Sequence, residues 1–276
     1  MNDLKAKAYA MRRDVLDMVY RAKTGHIGGD FSVMDILTAL YFKEMNISPQ
    51  NQDDPDRDYF VMSKGHSVEA YYAVLAAKGF FPAEEVKEQF SVFGSKYIGH
   101  PNNKLPGIEM NSGSLGHGLP VCVGIAKACR MDKRPSRVYT VMGDGELAEG
   151  SVWEGVMAAS QYGLDNLLAV VDRNRLQISG CTEDIMHHDN LAARFAAFGW
   201  EVLTADGNDT DALLKAFGNA RKAKGRPAVV IADTIKGCGV SFMENAAEWH
   251  HKVPTVQQYE QAVRELTEKE EAARNE

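Results

Sequence analysis

The sequence predicts an α/β fold in which helices cover both faces of a parallel sheet. Short apolar runs alternate with helical patterns along the chain, for example at Val138–Met142, Leu167–Asp172 and Ala228–Asp233. Strands of a parallel sheet are buried on both faces, so they read as continuous apolar runs of this length. Glycine and polar residues follow the runs, at the positions where parallel α/β sheets bind their ligands.

The elements are predicted in chain order from apolar spacing and from the turn residues between them. Apolar residues at helical spacing indicate helices at 4–23, Phe31–Met45, Ser67–Lys78, Leu119–Met131, Ser151–Tyr162 and Asp209–Lys222. Short apolar runs indicate strands at Tyr59–Met62, Val138–Met142, Leu167–Asp172, Glu201–Thr204 and Ala228–Asp233. Ser32 is a suitable N-cap for the second helix, Gly79 ends the third, and residues 82–110 are predicted to be rich in loops.

One domain is predicted over residues 1–255, followed by an amphipathic helix over 256–276. The helix carries a single apolar stripe on an otherwise charged surface, formed by Val256, Tyr259, Val263 and Leu266. Such a stripe packs on its own domain or on a neighbouring protein chain, and both alternatives stay open.

The composition of the 276-residue chain excludes several classes of function. Its formal net charge of −7 provides no basic surface for nucleic acid. No apolar run approaches the roughly 20 residues that a membrane helix needs, and no apolar signal segment is present at the N-terminus, so a cytoplasmic protein is predicted. The four cysteines show no metal-binding spacing and are predicted to be free thiols.

Two strand ends carry oxygen ligands that suit a divalent cation. Asp144 lies between Gly143 and Gly145 after one strand, and Asn174 follows the next strand thirty residues later. This separation fits one strand–helix–strand crossover, so both side chains are predicted at the same edge of the sheet. A carboxylate and an amide oxygen suit Mg²⁺, which completes its coordination with phosphate oxygens and water.

The segment GDGELAEGSVWEG, followed by LLAVVDRNRLQISG, resembles the thiamine diphosphate-dependent enzymes and most closely the transketolases. The resemblance implies that Mg²⁺, or Ca²⁺ or Mn²⁺ in its place, is held by Asp144, Asn174 and the backbone carbonyl of Leu176. It also implies that thiamine diphosphate is bound by residues of the same segment, namely Gly143, Gly145, Asn174 and Ile178.

A second glycine loop, residues 113–118, precedes a predicted helix, where free backbone N–H groups can bind an anion. It resembles the transketolase loop that lines the cofactor. The resemblance implies that Gly113, Ser114 and Leu115 contact thiamine diphosphate. His117 stands where relatives often have glutamine.

Glu149 and Glu154 lie at the start of the helix that follows the GDG turn. The helix dipole favours glutamate in a first turn, so both residues also fit a purely structural role. In transketolases the acidic residues at these positions join a carboxylate network that links two active sites. The resemblance therefore implies that Glu149 serves the cofactor site.

Four of the eight histidines directly follow a glycine, namely His26, His66, His100 and His117. A Gly-His pair in a strand-end loop offers an imidazole, which donates and accepts protons near neutral pH, with little backbone bulk. TGHIGG, SKGH and GHP resemble transketolase segments. The resemblance implies that His26, His66 and His100 line the substrate channel as catalytic residues and that His66 also contacts the cofactor.

The segments DTIKG and WH resemble the last active-site loop of the family. The resemblance implies that Lys236 reaches the diphosphate and that His250 contacts both cofactor and substrate. His251 occupies a position that is often glycine, so the choice between these two neighbouring histidines stays open.

Two positions depart from the family pattern, because Ile27 stands where proline is usual and Asp30 where serine is common. Both departures predict changes of fit rather than of chemistry. His187 and His188 are predicted to be surface or loop residues.

The resemblance covers residues from about 5 to 255 and implies a second chain. In transketolases a separate pyrimidine-binding domain carries the glutamate that activates the cofactor, and no such domain is present in these 276 residues. A split enzyme is therefore predicted, in which a pyrimidine-binding subunit completes an α₂β₂ assembly.

The predicted reaction is the transfer of a two-carbon ketol unit from a ketose, either a sugar phosphate or a modified sugar, to an aldose. The α-subunit of a 2-oxoacid dehydrogenase is an alternative, although it would not explain SKGH and GHP together. Further alternatives are chemistry similar to that of 1-deoxyxylulose-phosphate synthase and the role of a non-catalytic regulatory subunit.

Overall fold

The computed structural model describes residues 2–188 and 190–275. Its helices are α1 (Asn2–Ala22), α2 (Ile27–Ala39), α3 (Val68–Lys78), α4 (Ala83–Gln89), α5 (Gly118–Met131), α6 (Gly150–Gln161), α7 (Thr182–Ile185), α8 (Leu191–Ala197), α9 (Thr210–Ala220) and α10 (Val256–Asn275). Its strands are β1 (Tyr59–Met62), β2 (Val138–Gly143), β3 (Leu167–Arg173), β4 (Leu176–Gln177), β5 (Gly180–Cys181), β6 (Glu201–Asp206) and β7 (Ala228–Asp233).

The five longer strands form one parallel sheet in the order β1-β2-β3-β7-β6, and β4 and β5 form a small antiparallel pair. Gly143 is in register with Asp172, and Arg173 with Asp233. The carboxyl ends of β2, β3 and β7 therefore meet at one edge of the sheet. This edge is where the predicted ligand-binding segments begin.

Each face of the sheet carries its own hydrophobic core. Alternate strand residues such as Leu168 and Val170 pack with α1, α2, α3 and α9 on one face. Their neighbours Leu167, Ala169 and Val171 pack with α5, α6 and α8 on the other. The predicted α/β fold with helices on both faces is confirmed.

The second helix begins earlier than predicted because two glycines let it pack closely against another loop. A Cβ on Gly28 would lie 2.7 Å from the carbonyl oxygen of Trp249, and the helix starts at Ile27. Ser32 consequently lies inside α2 and is not its N-cap. Its hydroxyl instead donates to the Asp172 carboxylate at 2.6 Å.

Helix α4 was not predicted, since its residues lie in a segment rich in polar and glycine residues. Val86 is buried, and Lys87 pairs with Asp14 of α1 at 2.6 Å. These tertiary contacts favour a helix that the local sequence pattern does not indicate. The short helix α8 was missed in the same way.

The C-terminal helix packs on α1 of the same chain. Leu266 and Ala262 are fully buried there, and the Tyr259 ring stacks on Tyr20 with centroids 4.2 Å apart. Contact with a neighbouring chain through the rest of this helix stays a prediction. Across the part of the chain that the structure describes, no helix is both long enough and apolar enough to cross a membrane.

Candidate functional site

An open cleft of about 410 Å³ lies at the carboxyl edge of the sheet. It is lined by most of the residues that the sequence predicts for cofactor, metal and catalysis: His26, His66, Gly113, Leu115, Gly143, Asp144, Gly145, Asn174, Leu176, Ile178, Lys236 and His250. These residues come from seven separate segments of the chain. The fold therefore brings together groups that lie far apart in sequence.

The strand ends of β2 and β3 place the predicted metal ligands side by side. Asp144 directly follows β2, and its carboxylate accepts a hydrogen bond from the backbone N–H of Arg175 at 2.6 Å. Asn174 directly follows β3, and its side-chain oxygen accepts from the Leu176 N–H at 3.1 Å. Asp144 and Asn174 are 3% and 6% exposed, so both oxygens are removed from bulk water.

The Asp144 carboxyl lies in an environment that disfavours its negative charge. Burial, reinforced by the nearby Asp172 carboxylate, raises the pKa of Asp144 to about 6. A bound cation would reverse this effect, because it stabilises the ionised form.

The residues around Asp144 fit a hard divalent cation. The site offers a carboxylate oxygen, an amide oxygen and the Leu176 carbonyl, all of which line one cleft. Mg²⁺ prefers oxygen ligands and accepts few protein groups when phosphate oxygens and water complete the octahedron. The described residues contain no group of three or more His, Cys, Asp or Glu side chains arranged around a metal position, so a site here would depend on the amide and carbonyl oxygens.

The Gly113 loop closes another side of the cleft. Gly113 has a φ of +142°, and a Cβ there would lie 2.6 Å from the His100 ring. Only glycine permits both this backbone conformation and this approach. His100 does not line the cleft itself, but its ring lies against the loop that does.

Five imidazoles, three of which line the cleft, are grouped around His26. The His26 ring centroid lies 5.6 Å from His66, 6.2 Å from His100, 5.8 Å from His250 and 4.8 Å from His251. His66 and His250 are themselves 5.3 Å apart. The fold thus brings together three of the four Gly-His histidines, His26, His66 and His100, and leaves His117 outside the group.

Four of the clustered imidazoles are neutral at pH 7. Burial lowers the pKa of His26 to about 4 and that of His250 to about 3, and nearby histidines and lysines add to both shifts. Burial also lowers the pKa of His66 and His100. Neutral imidazoles can donate at one nitrogen and accept at the other, as hydroxyl-rich substrates require.

We expect acid to destabilise the chain through these imidazoles. A histidine whose pKa is lowered in the folded state binds fewer protons than in the unfolded state. Its contribution to stability is complete above pH 6.5 and is lost as the pH falls towards about 4. The free energy of unfolding, measured in urea, should therefore decrease as the pH is lowered from 6.5 to about 4. His26→Gln should make this decrease with pH less steep.

His117→Gln is the matched control for this measurement, because His117 is exposed and outside the cluster. An unchanged slope in His26→Gln, equal to that of the control, would contradict the assignment of a low pKa to His26.

Lys236 supplies a cation next to the predicted metal ligands. Its ammonium donates to the Leu176 carbonyl at 3.3 Å and lies 2.9 Å from Nδ1 of His250. Burial, followed by repulsion from Lys64, lowers the pKa of Lys236 to about 8. The side chain is 2% exposed, which suits the binding of a buried anion. His250, and not His251, lines the cleft beside it.

Sequence reasoning missed a buried ion pair at the cleft, which Lys64 helps to line. Lys64 forms a salt bridge with Asp172, and both side chains are almost completely buried. The hydroxyls of Ser32 and Thr234 donate to the same carboxylate. The pair thus joins α2, the SKGH turn and the ends of β3 and β7. Lys64 stands in a quoted motif, but nothing in the sequence pairs it with Asp172.

Glu146 is a second residue that the sequence analysis missed. Its carboxylate accepts from the Ser63 hydroxyl at 2.5 Å, from the Gly116 N–H at 2.8 Å and from the Gly143 N–H at 3.0 Å. It therefore connects three loops that surround the cleft. Its place inside GDGELAEG is the one signal that could have identified it.

Several predicted residues lie outside the cleft. Ser114, Glu149 and Glu154 are exposed, although Glu149 packs against Gly116 of the glycine loop. Nδ1 of His117 lies 3.1 Å from the Leu115 carbonyl, so this ring contacts its own loop.

The predicted histidine pair beyond β5 divides between surface and interior. His187 is exposed, whereas His188 is 2% exposed. The prediction of a loop position holds for both, and that of a surface position holds for His187 alone.

The chain was compared with known proteins. A family model described as "Transketolase, thiamine diphosphate binding domain" matches residues 4–268. One of the subunits of the apulose-4-phosphate transketolase from Phocaeicola vulgatus is 49% identical over 266 residues, which cover 96% of this chain and 94% of that protein. One of the subunits of a 6-deoxy-6-sulfo-D-fructose transketolase from a Clostridium species is 41% identical over 271 residues, which cover 98% of both.

Solved structures agree with these relatives. Transketolase from Campylobacter jejuni superimposes with a TM-score of 0.87 at 27% identity, covering 100% of this chain and 48% of that one. A mutant transketolase from Pichia stipitis gives a TM-score of 0.88 at 26% identity, covering 100% of this chain and 45% of that one. The chain thus spans just under half the length of these solved transketolases. The family model spans nearly the whole chain, and the curated relatives align over most of it. The chain therefore belongs to the transketolase family and corresponds to the thiamine diphosphate-binding domain of transketolases.

Proposed function

We propose that this chain is the thiamine diphosphate- and Mg²⁺-binding subunit of a two-subunit transketolase. In the proposed reaction a two-carbon ketol unit passes from a ketose to an aldose. The observation that carries this proposal is the convergence of two kinds of group in one cleft. Oxygen ligands at the ends of β2 and β3 and neutral imidazoles on three loops all line the same 410 Å³ space.

The oxygen ligands and the lysine divide the binding of the cofactor between them. Asp144, Asn174 and the Leu176 carbonyl would hold Mg²⁺, and the Lys236 ammonium would neutralise diphosphate charge beside them. When bound, thiamine diphosphate supplies the electron sink that cleavage of a carbon–carbon bond next to a carbonyl requires. The glycines at 113, 143 and 145 keep the lining of the cleft free of side chains where the cofactor would lie.

The imidazoles would bind the sugar and move its protons. His26, His66 and His250 lie within 6 Å of one another by ring centroids, a spacing that lets them contact successive hydroxyl groups of one substrate. Their lowered pKa values leave the three rings neutral at pH 7, so the ring nitrogens can exchange hydrogen bonds with substrate hydroxyls. His100 would act from behind the Gly113 loop.

A partner chain would complete the active site. Relatives that align over most of their length carry names that describe them as subunits of a transketolase. We propose that the partner contributes the pyrimidine-binding domain and the catalytic glutamate, in an α₂β₂ assembly. The exposed carboxylates of Glu149 and Glu154 are available to meet it.

The names of the relatives suggest where the ketose should be sought. One relative is named for apulose 4-phosphate and another for 6-deoxy-6-sulfo-D-fructose, so both a sugar phosphate and a modified sugar are candidate donors. The comparisons favour transketolase chemistry over that of a 2-oxoacid dehydrogenase α-subunit, because the matching family model and the relatives cited above are transketolases.

Calorimetric titration of the purified chain, alone and mixed with its partner chain, tests the proposal. We expect thiamine diphosphate to bind when Mg²⁺ is present and to bind much more weakly when EDTA removes the metal. Binding that is absent with Mg²⁺, Ca²⁺ and Mn²⁺, both alone and with the partner, would contradict it.

A further inference from the structure

Two carboxyl groups that the proposed mechanism does not use lie directly behind the histidine cluster. Asp30 is in the first turn of α2 and Glu69 in the first turn of α3, and both are 0% exposed. Each follows a channel histidine by about one helical turn, since His26 precedes α2 and His66 precedes α3. The two acids therefore stand where the two histidine-bearing segments meet.

Their hydrogen bonds tie these segments together. Glu69 accepts from the backbone N–H of His26 at 3.1 Å, and Asp30 accepts from the N–H of Ala70 at 3.0 Å. Each acid thus binds the backbone of the opposite segment. The two side chains also lie within electrostatic range of each other.

The remaining oxygen of each acid has no hydrogen-bond donor. Oδ2 of Asp30 and Oε2 of Glu69 are buried without a donor. Two ionised carboxylates can only accept hydrogen bonds, so a bond between them requires a proton on one of the two. Two neighbouring negative charges in a buried site would also repel each other.

The charged groups nearby do not offset a second negative charge. Lys64, in the turn before α3, attracts the Asp30 charge, but its ammonium is already paired with Asp172. Tyr72 of α3 also lies within electrostatic range of Glu69. On the α1 side, Oε1 of Glu69 lies beside Gly25, next to the methyl groups of Val19.

We propose that Asp30 and Glu69 share one proton and act as a positioning pair, which fixes the backbone of His26 against the helix that follows His66. The role assigned to the two histidines rests on the proposed function. The shared proton does not, because it follows from the contacts and burial of the two acids. Neither acid touches the cleft, so neither is a catalytic residue.

The pair should make the chain less stable as the pH rises. Burial raises the pKa of both carboxyls in the folded state. A raised carboxyl pKa gives stability that is present in full below the unfolded value near 4 and is lost as the pH rises through the folded value. The apparent values belong to the pair and not to either acid alone.

Asp30→Asn tests the shared proton. The amide NH₂ of the new side chain can donate to Glu69, so no shared proton is needed, and its oxygen can still accept from the Ala70 N–H. We expect the thermal midpoint of Asp30→Asn to rise relative to that of the wild-type chain by roughly 3 °C per pH unit between pH 5 and the folded pKa of about 7. Glu69→Gln should behave alike for the same reason. The control is Asp211→Asn, which changes an exposed first-turn aspartate of α9 and should follow the unchanged chain at every pH.

Two results would overturn the proposal. One is an equal pH dependence of the midpoint in Asp30→Asn, Glu69→Gln and the control, which would show that no proton is shared. The other is failure of both amide variants to fold, because a pair that needs one proton tolerates one amide. Neither result depends on ketol transfer, so the proposed function is tested separately.

The positioning role is tested in the assembled enzyme. We expect Asp30→Ala to lower kcat at least about tenfold, since small displacements of reacting groups cost rate, and Asp30→Asn to restore most of it at pH 7. The ¹³C shifts of the His26 ring should move in Asp30→Ala and return in Asp30→Asn. Equal kcat values and unmoved shifts in both variants would overturn the role.

Discussion

Asp144→Ala is expected to abolish Mg²⁺-dependent binding of thiamine diphosphate and to lower ketol transfer by more than about a hundredfold. Loss of a group that merely orients a metal ligand costs roughly 10- to 100-fold, and Asp144 would be the charged ligand itself. Asn174 and the Leu176 carbonyl would remain, but two neutral oxygens hold Mg²⁺ poorly. Calorimetric titration and a ketol-transfer assay measure the two effects.

Asp206→Ala is the matched control. Asp206 ends β6 at the same edge of the sheet and is exposed, so its loss should leave cofactor binding unchanged. Circular dichroism should show the same helix content in both variants. Cofactor affinity in Asp144→Ala equal to that of the control would contradict the proposed metal site.

Lys64→Met is expected to lower the free energy of unfolding by about 3–5 kcal/mol, the range found when one partner of a buried ion pair is removed. Lys64 is 1% exposed, and the Asp172 carboxylate that it neutralises is 0% exposed. Serine and threonine hydroxyls at this carboxylate supply hydrogen bonds but no positive charge. Urea unfolding at pH 7 measures the loss.

The double variant with Asp172→Asn should recover part of the lost stability, because it removes the uncompensated charge. Lys7→Met provides the control, since Lys7 pairs with Asp3 on the exposed face of α1 and such pairs contribute under about 1 kcal/mol. A loss in Lys64→Met no larger than that in Lys7→Met would show that the pair is not needed for stability.

The sheet and its ligand edge could be predicted because their signals are local. Asp144 and Asn174 are separated by one crossover, so their positions follow from strand lengths and from the parallel arrangement alone. The Gly-His pairs are likewise local signals that can be recognised in the sequence. The resemblance implies that His26, His66 and His100 share one channel, and in the fold their rings lie close together and close to that of His251.

Contacts between distant segments could not be predicted in the same way. Lys64 and Asp172 are 108 residues apart, and neither strand nor helix periodicity assigns a partner to a buried lysine. The sequence identifies Asp30 only as a departure from the family pattern. Its proximity to Glu69 arises from the packing of α2 against α3, which the sequence alone does not reveal. The early start of α2 depends likewise on the close approach of Gly28 to the loop that carries Trp249.

The most direct test of the account is a coupled ketol-transfer assay on this chain mixed with its pyrimidine-binding partner chain, with thiamine diphosphate and Mg²⁺. The donors should include an ordinary ketose phosphate, apulose 4-phosphate and a sulfonated ketose. The account predicts transfer from at least one donor that requires both chains and disappears in Asp144→Ala. Transfer by either chain alone, or undiminished transfer in Asp144→Ala, would contradict it.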